Sequence, residues 1–447
     1  MFIRSRFILF VIVLILCGSA SAQTHDDQDI KELRNELAQL RQEYQARIQK
    51  LEQRIDSLET QPVTQPAAGS SAGGGMLSGL TSSDFNPAIG VILSGRAWAD
   101  NNNPDMVRLP GFPAGGEAGA GPKGMVLGES ELDMSANVDD KFTAWLTMPI
   151  VVDNGEVNVE LEEAWIETLG LPHGFAARFG RFFSGIGYQN NRHSHTWDFI
   201  DQPLAYQAFL GGQYLDDGVQ VRWLAPTDLY MEFGGEVMRG SRYPSAGAVD
   251  SGFGSHAAFV HIGGDAGNNS SWLAGLSYLH SGSSGRTSGN ANNPLLFSGN
   301  DDLLITNFVW KWAPQGNWKQ KNFILQGEYL WRNENGNYTL ANNSVLPYDA
   351  NQSGWYVQGV YQPFPHWRFG ARFDTLSGAS PGAAFAGTEL DPLSGDPVRF
   401  SVMTDWSNSE FSRLRLQFSH LETDVMSDNQ WGLQYIFSIG AHGAHTF

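Results

Sequence analysis

The sequence predicts an all-β protein: a 16-stranded antiparallel transmembrane β-barrel preceded by a short periplasmic α-helical coiled coil. Three observations carry this. From Ala88 onward, short runs alternate apolar and polar residues, and a strand puts the two sets on opposite faces. The connections between runs alternate long and short, as the loops and turns of transmembrane barrels do. No run beyond the N-terminus approaches the roughly 18 apolar residues of a membrane helix.

The bulk composition agrees. A length of 447 residues ordinarily suggests two or three soluble domains, yet one large closed sheet can use several hundred. A net charge of −19 argues against nucleic acid as a partner. Residues 1–84 hold 8 Lys+Arg and 10 Asp+Glu, so −17 of that charge belongs to the body of the chain. The 51 glycines and 14 tryptophans suit strands with aromatic girdles.

Residues 1–22 read as a signal peptide. Arg4 and Arg6 precede the apolar run Phe7 to Leu16, and Ala20-Ser21-Ala22 forms the cleavage site. The sole cysteine, Cys17, falls inside it, so the mature chain is expected to lack disulfides and thiolate metal sites. Residues 23–59 are expected as a coiled coil. Its seam is Ile30, Leu33, Leu37, Leu40, Tyr44, Ile48, Leu51, Ile55 and Leu58, with one stutter. A helix this short depends on a partner chain, so a homo-oligomer is expected. Residues 60–84, rich in Gln, Pro, Ala, Ser, Gly and Thr, form a flexible linker.

Residues 85–447 are the barrel. The expected long connections are 100–124, 184–217, 239–254, 281–302, 332–353 and 375–397. The short ones include Asp139-Asp140, Pro226-Thr227, Pro314 to Asn317 and Pro363 to Pro365, with Asn154-Gly155 a short turn on the long-loop side. An even strand number puts both barrel ends in the periplasm. In the last strand Trp431, Leu433, Tyr435, Phe437, Ile439 and the terminal Phe447 share one parity, against Gln430, Gln434, Ser438 and His442. Trp367, Phe369, Ala371 and Phe373 stand likewise against Arg368, Gly370, Arg372 and Asp374. One face suits lipid and the other water.

That parity divides the lumen electrostatically. Glu129, Glu131 and Asp133 point inward from one strand, Glu156, Glu160 and Glu162 from another, Glu232 and Glu236 from a third. The pair Glu162-Glu163 breaks the alternation and predicts a bulge there. Arg178, Arg222, Arg368, Arg372, Arg399, Arg413 and Arg415 gather on other strands. Opposed walls set up a transverse field, or the charges pair with neighbours and keep the lumen wet; the residues leave both open.

The connection 184–217 is expected to fold into the pore and constrict it, with His193, His195, Asp198 and Asp201 lining the opening. His193, His195 and Asp198 are candidate ligands for zinc or another borderline metal, the one cofactor the residues suggest. The alternative is a polar loop packed by Trp197, Phe199, Tyr206 and Phe209. No catalytic motif sits in its proper context, so no enzyme activity is expected.

The segment GFAARFGRFFSGIGYQNNRHSHTWDFIDQPLAYQAFLGGQYLDDGVQVRWLAPTDLYMEFGGEV resembles the group labelled zinc-regulated TonB-dependent outer-membrane receptors. So do ESELDMSANVDD, FVWKWAP, SGWYVQGVYQ, EFSRLRLQFS and the ending SIGAHGAHTF. More broadly the barrel resembles the phosphate-selective porin superfamily. That resemblance implies a bacterial outer-membrane protein with a periplasmic N-terminal segment, sixteen strands and a pore-folded third loop. It further implies a trimer of passive channels in outer-membrane lipid, passing small solutes or ions. The group label implies the alternative of a zinc-responsive uptake receptor. The acidic, lysine-poor body predicts preference for cations over anions.

Overall fold

The computed structural model describes residues 87–440 except 103–108, 114, 117–122, 154–155, 246–251, 290–293, 379 and 394. The expected signal peptide, coiled coil and linker, and also His442 and Phe447, lie outside the described residues.

Alternation produces the strands. In order they are β1 (Ala88–Asp100), β2 (Gly124–Leu127 and Ser130–Asn137), β3 (Phe142–Asp153), β4 (Glu156–Val159 and Glu163–Thr168) and β5 (Phe175–Phe183). Then come β6 (Leu215–Leu224), β7 (Tyr230–Met238), β8 (Ser255–Asp265), β9 (Ser270–Ser288), β10 (Leu295–Trp312) and β11 (Asn322–Thr339). The last are β12 (Val345–Phe364), β13 (Trp367–Gly378), β14 (Val398–Ser409), β15 (Ser412–Glu422) and β16 (Ser427–Gly440). The two stretches of β2 pair with one neighbour, as do those of β4, so the hydrogen-bonded segments make sixteen staves. Each stave pairs antiparallel with the next, and β1 pairs with β16 from Gly90↔Gly440 to Asp100↔Gln430. Closure leaves no unpaired edge in the wall.

The faces divide as expected. Phe308, Trp367, Phe369, Trp431, Leu433, Tyr435 and Phe437 lie exposed on the outer surface, while Arg372, Asp374, Arg415, Gln430 and Gln434 are buried inside. The short turns have a chemical cause. At Asp139-Asp140 the Asp139 Oδ1 accepts the N–H groups of Lys141 (2.7 Å) and Phe142 (2.9 Å), turning the chain in two residues.

Two expectations are corrected. Most of 281–302 and 332–353 is strand, not loop. β9 and β10 stay paired from Ser270↔Trp312 to Ser288↔Leu295, and β11 and β12 from Asn322↔Gln362 to Thr339↔Val345. Eighteen residues in β10 span about 60 Å, well beyond an apolar band of about 25 Å. The outer halves therefore stand in water, where no lipid-facing residues are needed and Asn333, Asn335 and Asn337 serve. Their inner side encloses Arg286, Asp301, Arg332 and Glu334, with Arg286 Nη2 2.5 Å from Glu334 Oε1.

The lumen is also not uniformly polar. Leu303, Ile305, Leu330, Leu376 and Leu421 point inward and are buried against the connection between β5 and β6.

The bulge at Glu162-Glu163 is present, and β2 carries a second. Between Gly95↔Leu127 and Ile92↔Glu131, β1 advances three residues while β2 advances four. Between Ile150↔Val159 and Thr147↔Glu163, β3 advances three and β4 four. A bulge re-aims side chains, and both lie beside the acidic residues of the candidate site.

Candidate functional site

The connection between β5 and β6, residues 184–214, is closed at its neck. Ser184 N–H donates to Tyr214 O, and the Asn190 amide donates to both Ser184 O and Tyr214 O at 2.8 Å. Its only α-helix among the described residues is α1 (Leu204–Leu210), ended by Gly211 in the left-handed conformation. Seven residues do not hold a helix in water. Packing does: Leu204, Ala205, Tyr206, Ala208, Phe209 and Leu210 are all buried. Each large apolar side chain contributes about 1.5–3 kcal/mol when fully buried. Asp374 Oδ1 accepts the Leu204 N–H at 3.0 Å, placing a carboxylate at the helix N-terminus.

Two carboxylates four staves apart receive the first half of the loop. Glu236 of β7 accepts Ser184 Oγ–H (2.5 Å) and Gly185 N–H (2.8 Å). Glu328 of β11 accepts the N–H groups of Tyr188 and Gln189 and the hydroxyls of Tyr206 and Tyr356, at 2.6–3.0 Å. Gly187 lies between them with φ +66°, and a Cβ there would fall 2.5 Å from Tyr206 Oη and 2.7 Å from Glu328 Oε2. Gly187→Ala is therefore expected to destabilise the barrel by at least the ~1 kcal/mol cost of the left-handed backbone, read as a lower chemical-denaturation midpoint.

The next residues bridge the two charged walls. On the acidic side, His193 Nε2 lies 3.0 Å from Glu163 Oε2, and its Nδ1 lies 3.2 Å from Glu162 Oε2 and 3.4 Å from Glu131 Oε2. His195 Nδ1 lies 3.0 Å from Glu131 Oε1. Glu129 interacts electrostatically with this group, and Asp133 accepts from Thr147 below it. Burial opposes charge on His193, but its contacts with Glu162 and Glu163 and the charge of Glu131 outweigh that and hold it well above the usual histidine range.

On the basic side, Asp198 meets Arg368 at 2.8 Å. Asp201 meets Arg372 at 2.9 Å and Arg399 at 2.5 Å. Arg415 Nη2 donates to Trp197 O at 2.6 Å, and Arg413 Nη1 reaches His195 O and Trp197 O. Asp374 and Asp405 balance the arginines from behind. Burial works against the Asp201 charge, yet Arg399 and Arg372 outweigh it and pull the carboxyl down to about 2.

The sequence-predicted residues thus fall into three groups. His193, His195, Glu131 and, by charge, Glu129 and Asp133 form one clamp. Asp198, Asp201, Arg368, Arg372, Arg399, Arg413 and Arg415 form another. Arg178 and Arg222 are elsewhere: both pair with Glu167, and Arg178 stacks on Trp165. The three expected metal ligands do not converge, because Asp198 commits its oxygens to Arg368 and Gln358. Glu163, Glu328 and Asn190 were not anticipated. Glu328 shares inward parity with Gln326 and Arg332, so strand pattern alone could have placed it.

The closed wall, apolar exterior and loop folded into the lumen define a transmembrane β-barrel with a porin-like fold. The chain belongs to one family with a protein of Aquifex aeolicus (strain VF5) described as uncharacterized. The two are 31% identical over 347 residues, covering 73% of this chain and 70% of that one. No protein-family model matches the chain. Among solved structures, Pseudomonas putida OprB at high pH is similar over 82% of this chain and 96% of its own, with TM-score 0.52 and 12% identity. The Acinetobacter baumannii outer membrane channel DcaP is similar over 79% and 97%, with TM-score 0.50 and 13% identity. These two likenesses are of fold. Sixteen staves give no support to the TonB-dependent label, since transporters of that kind close 22 strands around a plug.

Proposed function

We propose that the protein is a passive outer-membrane channel for small solutes or ions, narrowed by residues 184–214, with no catalytic role. The observation that carries this is the fastening of one loop to opposite walls inside a closed barrel. A loop held at both ends is a fixed obstacle, and solutes pass only through the gap beside it. The protein is proposed to work as a homo-oligomer, a trimer first, with its N-terminal segment in the periplasm. The seam from Ile30 to Leu58 supports association.

Charge balance supports cation preference. Among the described residues, Arg368, Arg372, Arg399, Arg413 and Arg415 face Asp198, Asp201, Asp374 and Asp405, a near balance. Among the described residues, Glu129, Glu131, Asp133, Glu162 and Glu163, five acids, face His193, His195 and, by charge, Arg96 and Arg178. The surplus charge at the loop is negative. In a planar bilayer under a KCl gradient, the reversal potential is expected to take the sign of potassium permeation. A chloride-favouring potential overturns that preference, and absence of any conductance overturns the channel reading.

A further inference from the structure

We infer that Glu131, Glu162 and His193 form a binding site for a divalent cation of the zinc class, which ties the loop to staves β2 and β4. Glu131 and Glu162 each offer one carboxylate oxygen and His193 an imidazole nitrogen, all within 4.8 Å of one another.

The first argument is geometric. Ligand atoms about 2.1 Å from a tetrahedral ion stand about 3.4 Å apart. Here Nδ1 of His193 is 3.2 Å from Glu162 Oε2 and 3.4 Å from Glu131 Oε2. Two of the three ligand edges are already those of a coordination shell, and the third lies within 4.8 Å.

The second argument is independent and concerns the atoms behind the ligands. A metal-binding histidine characteristically donates its other ring N–H to a carboxylate, fixing ring and tautomer. His193 Nε2 does this to Glu163 Oε2 at 3.0 Å. Glu131, 1% exposed, has its other oxygen held by His195 Nδ1 at 3.0 Å. With Nε2–H given to Glu163, the Nδ1 lone pair faces two carboxylate oxygens, an arrangement that needs a positive charge between them. In the metal-free protein a proton on Nδ1 supplies that charge, and a metal ion would displace it. Nδ1 makes no hydrogen bond of acceptable geometry, although Glu162 Oε2 is 3.2 Å away. A metal ion accepts from all three at once.

Chemistry selects the class. One imidazole with two carboxylates suits zinc and neighbouring divalent ions, while soft copper(I) would ask for sulfur. Three protein ligands leave a position open for water. Sequence spacing alone could not find this set, because two ligands come from strands and each sits beside a bulge. The ion would close the same contact that now joins the loop to the acidic wall, so metal occupancy would set how firmly the constriction is held.

The test uses the full-length protein in detergent, stripped with chelator and titrated with zinc chloride by calorimetry. Wild type is expected to bind one zinc per chain, and His193→Ala is expected to lose measurable binding. Glu163→Gln keeps an acceptor for the ring N–H while removing its charge, and is expected to weaken binding about 10–100-fold. His366→Ala, an exposed turn histidine bonded to Ser407 O, serves as control and should bind as wild type. Should His193→Ala fail to fold, cobalt(II) absorption decides with wild type and Glu163→Gln. Visible bands in wild type that require about 10–100-fold more cobalt(II) to appear in Glu163→Gln support the site. Stripped wild type that takes up no zinc, or His193→Ala or Glu163→Gln binding with wild-type affinity, overturns it. Binding is read without conductance, so failure here leaves the channel reading to its own experiment.

Discussion

Asp201→Asn is expected to release the loop from the basic wall and raise single-channel conductance. Asp201 holds two arginines, Arg372 and Arg399, both nearly fully buried on their strands. The change leaves both guanidinium groups short of a counter-charge in a place water barely reaches. Breaking a buried ion pair by removing one partner costs about 3–5 kcal/mol. At about 1.4 kcal/mol per decade, the released population rises by two or more orders of magnitude. Planar-bilayer recordings should show larger, noisier openings than wild type. Identical conductance and noise would mean that Asp201 does not hold the obstacle.

The same contact has a defined pH window. Its folded carboxyl lies near 2, below the unfolded value of about 3.9. A depressed pKa stabilises above the unfolded value and loses that contribution as pH falls through the folded one. The difference between wild type and Asp201→Asn should therefore be constant above about pH 4 and shrink toward pH 2.

Glu328→Ala is expected to be the most destabilising single change in the lumen. One carboxylate accepts four donors: two loop N–H groups and the hydroxyls of Tyr206 and Tyr356. All four donor residues are buried. An orphaned buried donor costs about 1–3 kcal/mol, so the loss should reach at least about 3 kcal/mol even if one donor finds water. Urea unfolding in lipid bilayers measures it, with the exposed Glu410→Ala as reference. A drop no larger than that of Glu410→Ala would show that Glu328 does not organise the loop.

Most of the wall was legible in the sequence, and for a local reason. Lipid outside and polar groups inside act on successive residues of one strand, so Trp431, Leu433 and Tyr435 against Gln430 and Gln434 report the fold directly. The outer halves of β9 to β12 were not legible, because with water outside them Asn333 and Asn335 read as loop. Leu303 and Ile305 were ambiguous for the opposite reason: they face inward but lie in an apolar cluster with the loop instead of in water. The bulge at Glu162-Glu163 was legible as a break in period. That between Leu127 and Glu131 was not, because Glu129, Glu131 and Asp133 share one parity.

The sequence by itself determined the barrel, the two faces of its strands and which connection packs inside it, since period, turn length and charge parity are properties of neighbouring residues. It also supplied almost every charged residue of the site. Only the tertiary structure decided how they group. His193 meets Glu131 and Glu162 instead of Asp198, and Asp201 meets Arg372 and Arg399. These partners lie far apart in the chain and become neighbours because sixteen staves close around one loop. Ion pairing across that distance is a consequence of barrel closure, and no local pattern encodes it.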